Sequence, residues 1–190
     1  MQIRLSLLML AVAAGISATA QQSQPQPCKG LACVEVQSAC HPWSGKRVGF
    51  IGDSMTDPNN NRLDIPYKYW HYLRQMLGIE PYVYGKSGRQ WDDVPRQAGL
   101  LKAEHGDSLD AVIVFIGTND FNAGVPIGRW YDELEDTVTA AVHGEKKVYM
   151  RKRRIPSIDQ ATLKGRINIA LMKLKTLFPD KQIVLLTPIH

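Results

Sequence analysis

The feature that most constrains the fold is an unbroken apolar run, Ala-Val-Ile-Val-Phe-Ile, within residues 110–116. The run is rich in β-branched residues and lacks the alternation of apolar and polar side chains that marks a half-exposed strand. A strand that is apolar throughout is buried on both faces, and such strands belong to parallel sheets covered by helices. The run therefore predicts an α/β fold built around a parallel sheet.

Strand and helix patterns alternate on both sides of this run. Strands are also predicted at residues 47–51, 82–84 and 182–186, and helices at residues 64–77, 92–104, 129–142 and 160–178. Asp64 suits the N-cap of the first helix, with Pro66 in its first turn and Gly78 as its end. Pro95 is tolerated in the first turn of the second helix. The alternation predicts a three-layer α/β/α sandwich with right-handed crossovers.

The chain begins with the pattern of a secretory signal peptide. Arg4 precedes an apolar stretch of about 12 residues, too short to span a membrane, and Ala18-Thr19-Ala20 supplies a small-residue cleavage site. We expect residues 1–20 to be removed, leaving a secreted protein, periplasmic or extracellular, with no membrane anchor. Cleavage leaves 190 − 20 = 170 residues and lowers the formal net charge from +5 to +4, since Arg4 is the one charge lost. That mild charge gives no indication of nucleic-acid binding.

Three cysteines follow in a polar leader, residues 21–45, that precedes the folded domain at residues 46–190. In an oxidising compartment one pair of Cys28, Cys33 and Cys40 is expected to form a disulfide; the sequence leaves all three pairings open. With His41 the cluster could suggest a metal site, but its spacing matches no zinc pattern. We therefore predict no metal and no cofactor.

Three polar motifs come directly after three of the predicted strands. They are Gly52-Asp53-Ser54, the loop around Gly88, and Gly117-Thr118-Asn119-Asp120. Because the carboxyl ends of parallel strands share one edge, the motifs should meet there. Acyl transfer needs a nucleophile, which Ser54 offers, and hydrogen-bond donors for an oxyanion, which the Gly88 backbone N–H and the Asn119 amide offer. Taken singly, each motif is more often a helix cap or a turn.

Together and in this order, the motifs resemble those of the SGNH hydrolases, also called the GDSL family of esterases and lipases. Met55 stands where the family name has leucine, and the resemblance covers about residues 46–190. It implies a flavodoxin-like SGNH hydrolase fold, with Ser54 as nucleophile and Gly88 and Asn119 in the oxyanion hole. Asp53 and Asp120 would be supporting residues.

The general base is missing from this pattern. The family's Asp-x-x-His block does not occur in the sequence. Four histidines lie away from the predicted edge or inside a helix: His41, His71, His105 and His143. His190 follows the last strand, at a place where the family continues with more chain. We therefore expect the sequence to stop before the final strand and helix, and residues 21–190 alone to show at most trace activity.

Two further features bear on specificity. Trp91 could line the substrate cleft or pack beneath the loop, and the sequence leaves both open. Residues 145–154 carry six basic side chains and one acid, and are predicted to form a loop. Such a run is usually a solvated surface, although it could contact an anionic polysaccharide.

The interpretation favoured by these patterns is a serine esterase that deacetylates a carbohydrate, acting on a small-molecule or polysaccharide ester. A lipase or arylesterase of the same family is the nearest alternative. A carbohydrate-binding protein that has lost catalysis is a second alternative. A nucleotide-binding flavodoxin-like domain is disfavoured, because the sequence has neither a glycine fingerprint nor a phosphate-binding loop. Nothing in the sequence indicates the oligomeric state.

Overall fold

A computed structural model describes residues 41–60 and 67–188. Its strands are β1 Arg47–Gly52, β2 Glu80–Val83, β3 Ala111–Phe115, β4 Tyr131–Val142, β5 Glu145–Pro156 and β6 Gln182–Leu186. Its helices are α1 Tyr69–Leu77, α2 Val94–His105, α3 Thr118–Asn122 and α4 Leu163–Leu177, with a 3₁₀ turn at Trp91–Asp93 before α2. No helix in the described ranges is long and apolar enough to cross a bilayer.

The central sheet is parallel, as the sequence predicts, with strand order β2-β1-β3-β6. β1 is the inner strand between β2 and β3, and its residues from Val48 onward are buried. Gly49 lies so close to α2 that an added Cβ would meet the Leu101 side chain at 2.4 Å. Because every strand runs the same way, the loops that leave β1, β2, β3 and β6 emerge at one edge.

Apolar side chains leave the sheet on both faces and give two separate cores. On one face α2 and α4 cover Ile51, Val112 and Val114, with Leu101 and Leu174 among the fully buried contacts. On the other face α1 packs over a second cluster, Val48, Phe50, Ile79, Ala111 and Ile113. These layers confirm the predicted α/β/α sandwich.

The helix boundaries follow local signals. α1 ends at Gly78, which adopts a left-handed conformation (φ 68°), as predicted. Asp64 and Pro66, predicted to begin this helix, lie outside the described residues, and α1 starts after Lys68, whose backbone N–H donates to His71 Nδ1 at 2.9 Å. α2 accommodates Pro95 in its first turn.

The prediction for residues 129–154 is wrong. The expected helix at residues 129–142 is strand β4, and the expected basic loop at residues 145–154 is strand β5. The two strands form an antiparallel hairpin in which Tyr131 pairs with Pro156 and Val142 with Glu145. His143 (φ 51°) and Gly144 (φ 82°) make the two-residue loop that such a hairpin needs.

Apolar side chains at helical spacing report a buried face. Most of the hairpin's side chains are exposed, so that signal carries no information there. The proposed signal peptide, the three cysteines and His190 lie outside the described residues.

Candidate active site

The turn that carries Ser54 is shaped by tight packing at Gly52. A Cβ at residue 52 would lie 2.2 Å from Thr56 Oγ1 and 2.3 Å from the Phe115 carbonyl oxygen. Only glycine fits there, so β1 can turn sharply beside β3. The turn leaves Ser54 half-buried at the carboxyl edge of the sheet.

Asp53 closes the same turn through its backbone and its side chain. Its carbonyl accepts hydrogen bonds from the N–H groups of Thr56 and Asp57, at 3.1 and 2.9 Å. Its Oδ1 accepts from the N–H of Met55 at 3.1 Å, while its buried Oδ2 has no hydrogen-bond partner among the described residues. Asp53 therefore fixes the backbone on both sides of Ser54.

The loop after β2 is fastened to this turn and carries Gly88. Asp57 Oδ2 accepts hydrogen bonds from the Ser87 N–H and Oγ at 2.8 and 2.7 Å, and Lys86 N–H donates to the Gly52 carbonyl at 3.0 Å. Although burial favours the neutral acid, the Ser87 hydrogen bonds lower the pKa of Asp57. Gly88 is exposed in the left-handed region (φ 79°), which glycine adopts without strain.

The loop after β3 brings Asn119 against the Gly88 loop. Asn119 Nδ2 donates to the Arg89 carbonyl at 2.8 Å, and Gln90 Nε2 donates to the Asn119 carbonyl at 2.9 Å. Gly117 begins this loop at φ 137°, a conformation that L side chains rarely adopt. Both ends of Asn119 are thus held by the residues that follow Gly88.

A buried ion pair holds these two loops from beneath. Asp120 is fully buried; its Oδ2 accepts from the Trp91 N–H at 3.0 Å and its Oδ1 from Arg166 Nη1 at 3.1 Å. Arg166, on α4, also donates to Gln90 Oε1 at 2.9 Å and to the Gln160 carbonyl at 2.7 Å. One guanidinium therefore joins α4 to the loops that carry Gly88 and Asn119.

The two buried aspartates have similarly perturbed acidities. Burial raises the pKa of Asp53, and the negative charge of Asp120 adds to the effect. Burial also raises the pKa of Asp120, although the Trp91 N–H and Arg166 oppose it. Both carboxylates thus lie in surroundings that disfavour charge, and Asp120 has the cation that Asp53 lacks.

The arrangement leaves hydrogen-bond donors open at the surface. Neither the backbone N–H of Ser54 nor that of Gly88 has a hydrogen-bond partner in the described part of the chain, and the same holds for Ser54 Oγ. Asn119 uses one of its two amide hydrogens on Arg89. Three loops at the same edge of the sheet therefore each offer a free donor, which is an arrangement that can stabilise an oxyanion.

The described histidines are engaged elsewhere. His71 Nδ1 accepts from Lys68 and its ring stacks on Trp70; His41 accepts from the Trp43 N–H; His105 packs on Tyr82; His143 is in the hairpin loop. Within residues 41–60 and 67–188, no histidine hydrogen-bonds to Ser54. The same residues contain no cluster of three or more His, Cys, Asp or Glu that could hold a metal ion.

Trp91 packs beneath its loop, the second of the two roles that the sequence left open. It is 7% exposed and belongs to the core that includes Val94 and Ile116. The cleft-lining role is not supported, because its ring is directed into the core and its backbone N–H is used by Asp120.

Sequence reasoning missed the residues that tie the site together. Gln97 Oε1 accepts from the Gly52 N–H at 2.9 Å and its Nε2 donates to the Gly52 carbonyl at 3.0 Å, although the residue is fully buried on α2. Arg166 was not singled out either. A glutamine and an arginine beside the apolar positions of predicted helices are the only sequence signal these contacts offer.

Comparison with known proteins agrees with this geometry. Residues 50–181 match the model of the GDSL-like lipase/acylhydrolase family. No curated protein matches the chain.

The solved structures that are similar to the chain include the following two. A protein from Lactobacillus plantarum is 22% identical with a TM-score of 0.53, over 77% of this chain and 58% of its own length. A structure described as a possible lipase from Chitinophaga pinensis is 24% identical with a TM-score of 0.49, over 75% of this chain and 48% of its own. The chain thus spans about half the length of these proteins, and the first likeness supports the fold alone.

Proposed function

The chain belongs to the family of GDSL-like lipases and acylhydrolases, and on that premise we propose that it is a serine esterase with Ser54 as its nucleophile. The observation that carries the proposal is the set of free donors on the three loops at the edge where Ser54 lies: the N–H groups of Ser54 and Gly88 and the Asn119 amide. No serine used only as a helix cap requires donors from two neighbouring loops.

The reaction follows from these positions. Ser54 Oγ attacks the ester carbonyl carbon as its proton passes to a general base, and the carbonyl oxygen becomes an oxyanion held by the three donors. Collapse of this intermediate expels the alcohol, which takes up the proton, and leaves an acyl group on Ser54. Water then attacks the acyl-enzyme by the same route and releases the acid. We propose a histidine outside the described residues as the base, since no histidine within them hydrogen-bonds to Ser54.

The substrate that we propose is an acetyl ester on a carbohydrate. The exposed surface beside Ser54 is mostly polar: Asn59, Lys86, Ser87 and Arg89 are all exposed. Such a surface can hydrogen-bond sugar hydroxyls, and with Trp91 in the core it offers few apolar walls to a long acyl chain.

A lipase or arylesterase remains the second candidate, because two apolar side chains border the same site. Met55 follows the nucleophile and is 37% exposed, and Phe121 follows Asp120 and is 67% exposed. These could contact an acyl or aryl group. Comparing kcat/KM for p-nitrophenyl acetate and p-nitrophenyl octanoate separates the candidates, since the deacetylase should prefer acetate.

The decisive test is Ser54→Ala in the full-length gene product. Loss of both the nucleophile and its acyl-enzyme should lower kcat to the level of the oxyanion hole alone, a drop on the order of 10⁶-fold. Ser44→Ala is the matched control, because Ser44 is exposed before β1, at the opposite edge. Equal activity in wild type and Ser54→Ala would remove Ser54 from the mechanism. A wild-type protein that binds an acetylated sugar without hydrolysing it would support the non-catalytic alternative.

Secretion is part of the proposal and is supported by the pattern of residues 1–20. It is tested by the N-terminus of the protein recovered outside the cytoplasm, which should be Gln21. A mature protein that begins at Met1 would contradict it.

A further inference from the structure

In the described part of the chain, hydrogen bonds join the β4–β5 hairpin to the rest of the domain only at its base. The chain leaves and returns where the Ser157 N–H donates to the Trp130 carbonyl at 3.0 Å, and Asn168 Nδ2 on α4 donates to both carbonyls there, at 2.8 and 2.9 Å. Beyond this point β4 and β5 pair only with each other in the described chain. An isolated two-stranded ribbon is marginally stable in water, so a ribbon with strands of 12 residues calls for a further partner.

Charge is divided along the ribbon. Near its base Glu133 pairs with Lys152 and Arg154, and Asp136 pairs with Arg151 and Arg153. Towards the loop, β4 has no charged residue over the six positions 137–142, Thr-Val-Thr-Ala-Ala-Val. The whole hairpin carries six basic and five acidic residues, a net charge of +1, which makes a dedicated polyanion site a poor fit.

The two edges of the ribbon therefore differ. The β5 edge is protected by cations along most of its length, the common way in which proteins prevent a strand from adding to an open edge. The β4 edge over residues 137–142 has no charge and no proline, and it is rich in β-branched residues. Such an edge accepts another strand.

The hairpin loop fixes which backbone groups face outward on that edge. A two-residue loop is closed by a hydrogen-bonded pair, here Val142 with Glu145, and hydrogen-bonded pairs alternate with open ones along an antiparallel ladder. Ala141, Thr139 and Thr137 are therefore in the open pairs. Their N–H and C=O groups point away from β5, and they are available to a second strand.

We propose that this edge pairs with the β4 edge of a second copy of the chain, antiparallel, to give an intermolecular sheet of order β5-β4-β4-β5. A two-fold axis near Thr139 makes the contact self-complementary. The uncharged segment of each copy then lies against that of the other. Parallel pairing is disfavoured, because it would place Glu133 beside Glu133 and Asp136 beside Asp136.

Charge complementarity selects the same arrangement. Antiparallel pairing brings the loop end of each hairpin beside the acidic base of its partner's β4. Glu135 and Lys146 lie on the same face of the ribbon, since Glu135 pairs with Lys152 and Lys146 with Ala141, and neither makes an ion pair within the described chain. In the dimer, Lys146 of each copy approaches Glu135 of the other. Pairing through β5 would instead bring lysines towards Arg151–Arg154.

A pair of proline substitutions tests the edge. Thr139 and Val148 face each other across the ladder, and the N–H of each points outward, one on each edge. Thr139→Pro removes the donor on the β4 edge without removing a hairpin hydrogen bond, and Val148→Pro does the same on the β5 edge. The two-fold axis places the substitution in both copies, so each dimer loses two hydrogen bonds. Thr139→Pro should therefore weaken dimerisation at least about 100-fold.

Sedimentation equilibrium of the full chain at micromolar concentrations supplies the measurement. We expect a dimeric wild type, a monomeric Thr139→Pro and a dimeric Val148→Pro, with unchanged esterase activity in all three. A monomeric wild type overturns the proposal, even if that monomer binds an anionic polysaccharide through the ribbon. So does a dimeric Thr139→Pro, or equal dissociation of the two variants.

A charge exchange gives a second, milder test. Glu135→Lys and Lys146→Glu should each raise the dissociation constant about tenfold at low salt, and the double variant should restore it. Single variants with wild-type affinity, or a double variant as weak as either single one, would contradict the antiparallel arrangement.

Discussion

Two ion pairs of the same chemistry show how differently the two regions of this protein are built. At the site Asp120 and Arg166 are joined at 3.1 Å, with their side chains 0% and 17% exposed. In the hairpin Asp136 and Arg151 are joined at 3.0 Å, with exposures of 33% and 51%. The distances are nearly equal, but water reaches both partners of the second pair and has little access to the first.

The comparison shows which parts of the molecule have a fixed geometry. A buried polar group that loses its partner keeps the full cost of its desolvation, so the loops around Ser54 have few alternative arrangements. In an exposed ion pair, water replaces either partner at little cost, so the pair contributes little to the free energy of unfolding. Rigidity at the site thus comes from a few buried polar contacts between loops, whereas the hairpin depends on its backbone ladder.

Replacing the arginine of each of these two ion pairs should give the largest difference in stability between the two regions. Arg166→Met leaves Asp120 buried without its cation and should lower the free energy of unfolding by about 3–5 kcal/mol at pH 7. Arg151→Met, the matched change in the hairpin, should have a much smaller effect. Urea unfolding of both variants provides the comparison, and equal losses would contradict the distinction between the two regions.

Low pH should restore part of the stability that Arg166→Met loses. Burial already raises the pKa of Asp120, and loss of Arg166 raises it further, so the folded state takes up a proton as the pH falls. The deficit of Arg166→Met should therefore shrink below neutral pH. A deficit that stays constant down to pH 4 would mean that Asp120 is not the group left uncompensated.

Asn119→Ala should have the next largest effect, on catalysis. Loss of one oxyanion donor typically costs about 2.7–4 kcal/mol, so kcat should drop on the order of 10²–10³-fold. Asn119→Asp should be worse, because it adds a negative charge beside the oxyanion. Asn122→Ala, an exposed change at the end of α3, is the control in a p-nitrophenyl acetate assay. Equal or better turnover by the aspartate variant would rule out the assigned role.

Asp53→Asn is expected to stabilise the protein. Burial raises the pKa of Asp53 above its ordinary value of 3.8, so the wild type loses stability as the pH rises from 3.8 through that raised pKa. Asparagine keeps an oxygen for the Met55 N–H without the charge. We expect a gain of about 1–3 kcal/mol at pH 7 that disappears below pH 3.8.

Asp57→Asn is the matched control, with the opposite sign. Hydrogen bonds from Ser87 lower the pKa of Asp57, so its contribution is present above pH 3.8 and is lost as the pH falls through the lowered pKa. Its substitution should destabilise the protein at pH 7. Stability curves against pH for the two variants would refute this account if both shifted in the same direction.

The smallest effect is expected in the hairpin. Lys152 is 70% exposed and lies 3.6 Å from Glu133, so Lys152→Ala should change the free energy of unfolding by no more than about 0.5 kcal/mol. A loss comparable with that of Arg166→Met would show that the ribbon, too, is held by its side-chain ion pairs.

The same contrast between the site and the hairpin explains which parts of the fold the sequence could predict. Residues 111–115 and 182–186 are strands because both faces are apolar, and that signal is local. The three loops of the site were found through their place after such strands. The hairpin has no buried face to produce such a signal, and His143-Gly144 directly after the β-branched run at residues 137–142 was the better indication of a hairpin.

The contacts that hold the site could not be predicted in this way. Arg166 meets Asp120 across 46 positions of sequence, and Gln97 meets Gly52 across 45. Nothing local to either residue specifies its partner, because each contact depends on how a helix is placed against the sheet. Trp91 shows the same dependence: its burial follows from the packing of α2 and α4 around its loop, which the motif does not encode.

The hydrogen bond between Trp130 and Ser157 has a consequence for how this protein can change over evolutionary time. Because the chain leaves the domain and returns to it at one point, everything between could be lengthened, shortened or exchanged without disturbing the order of the parallel strands. A lineage that replaced the ribbon with a short turn would keep the loops around Ser54 and lose only the contacts that the ribbon makes. Descendants could therefore acquire new associations while their chemistry is inherited intact.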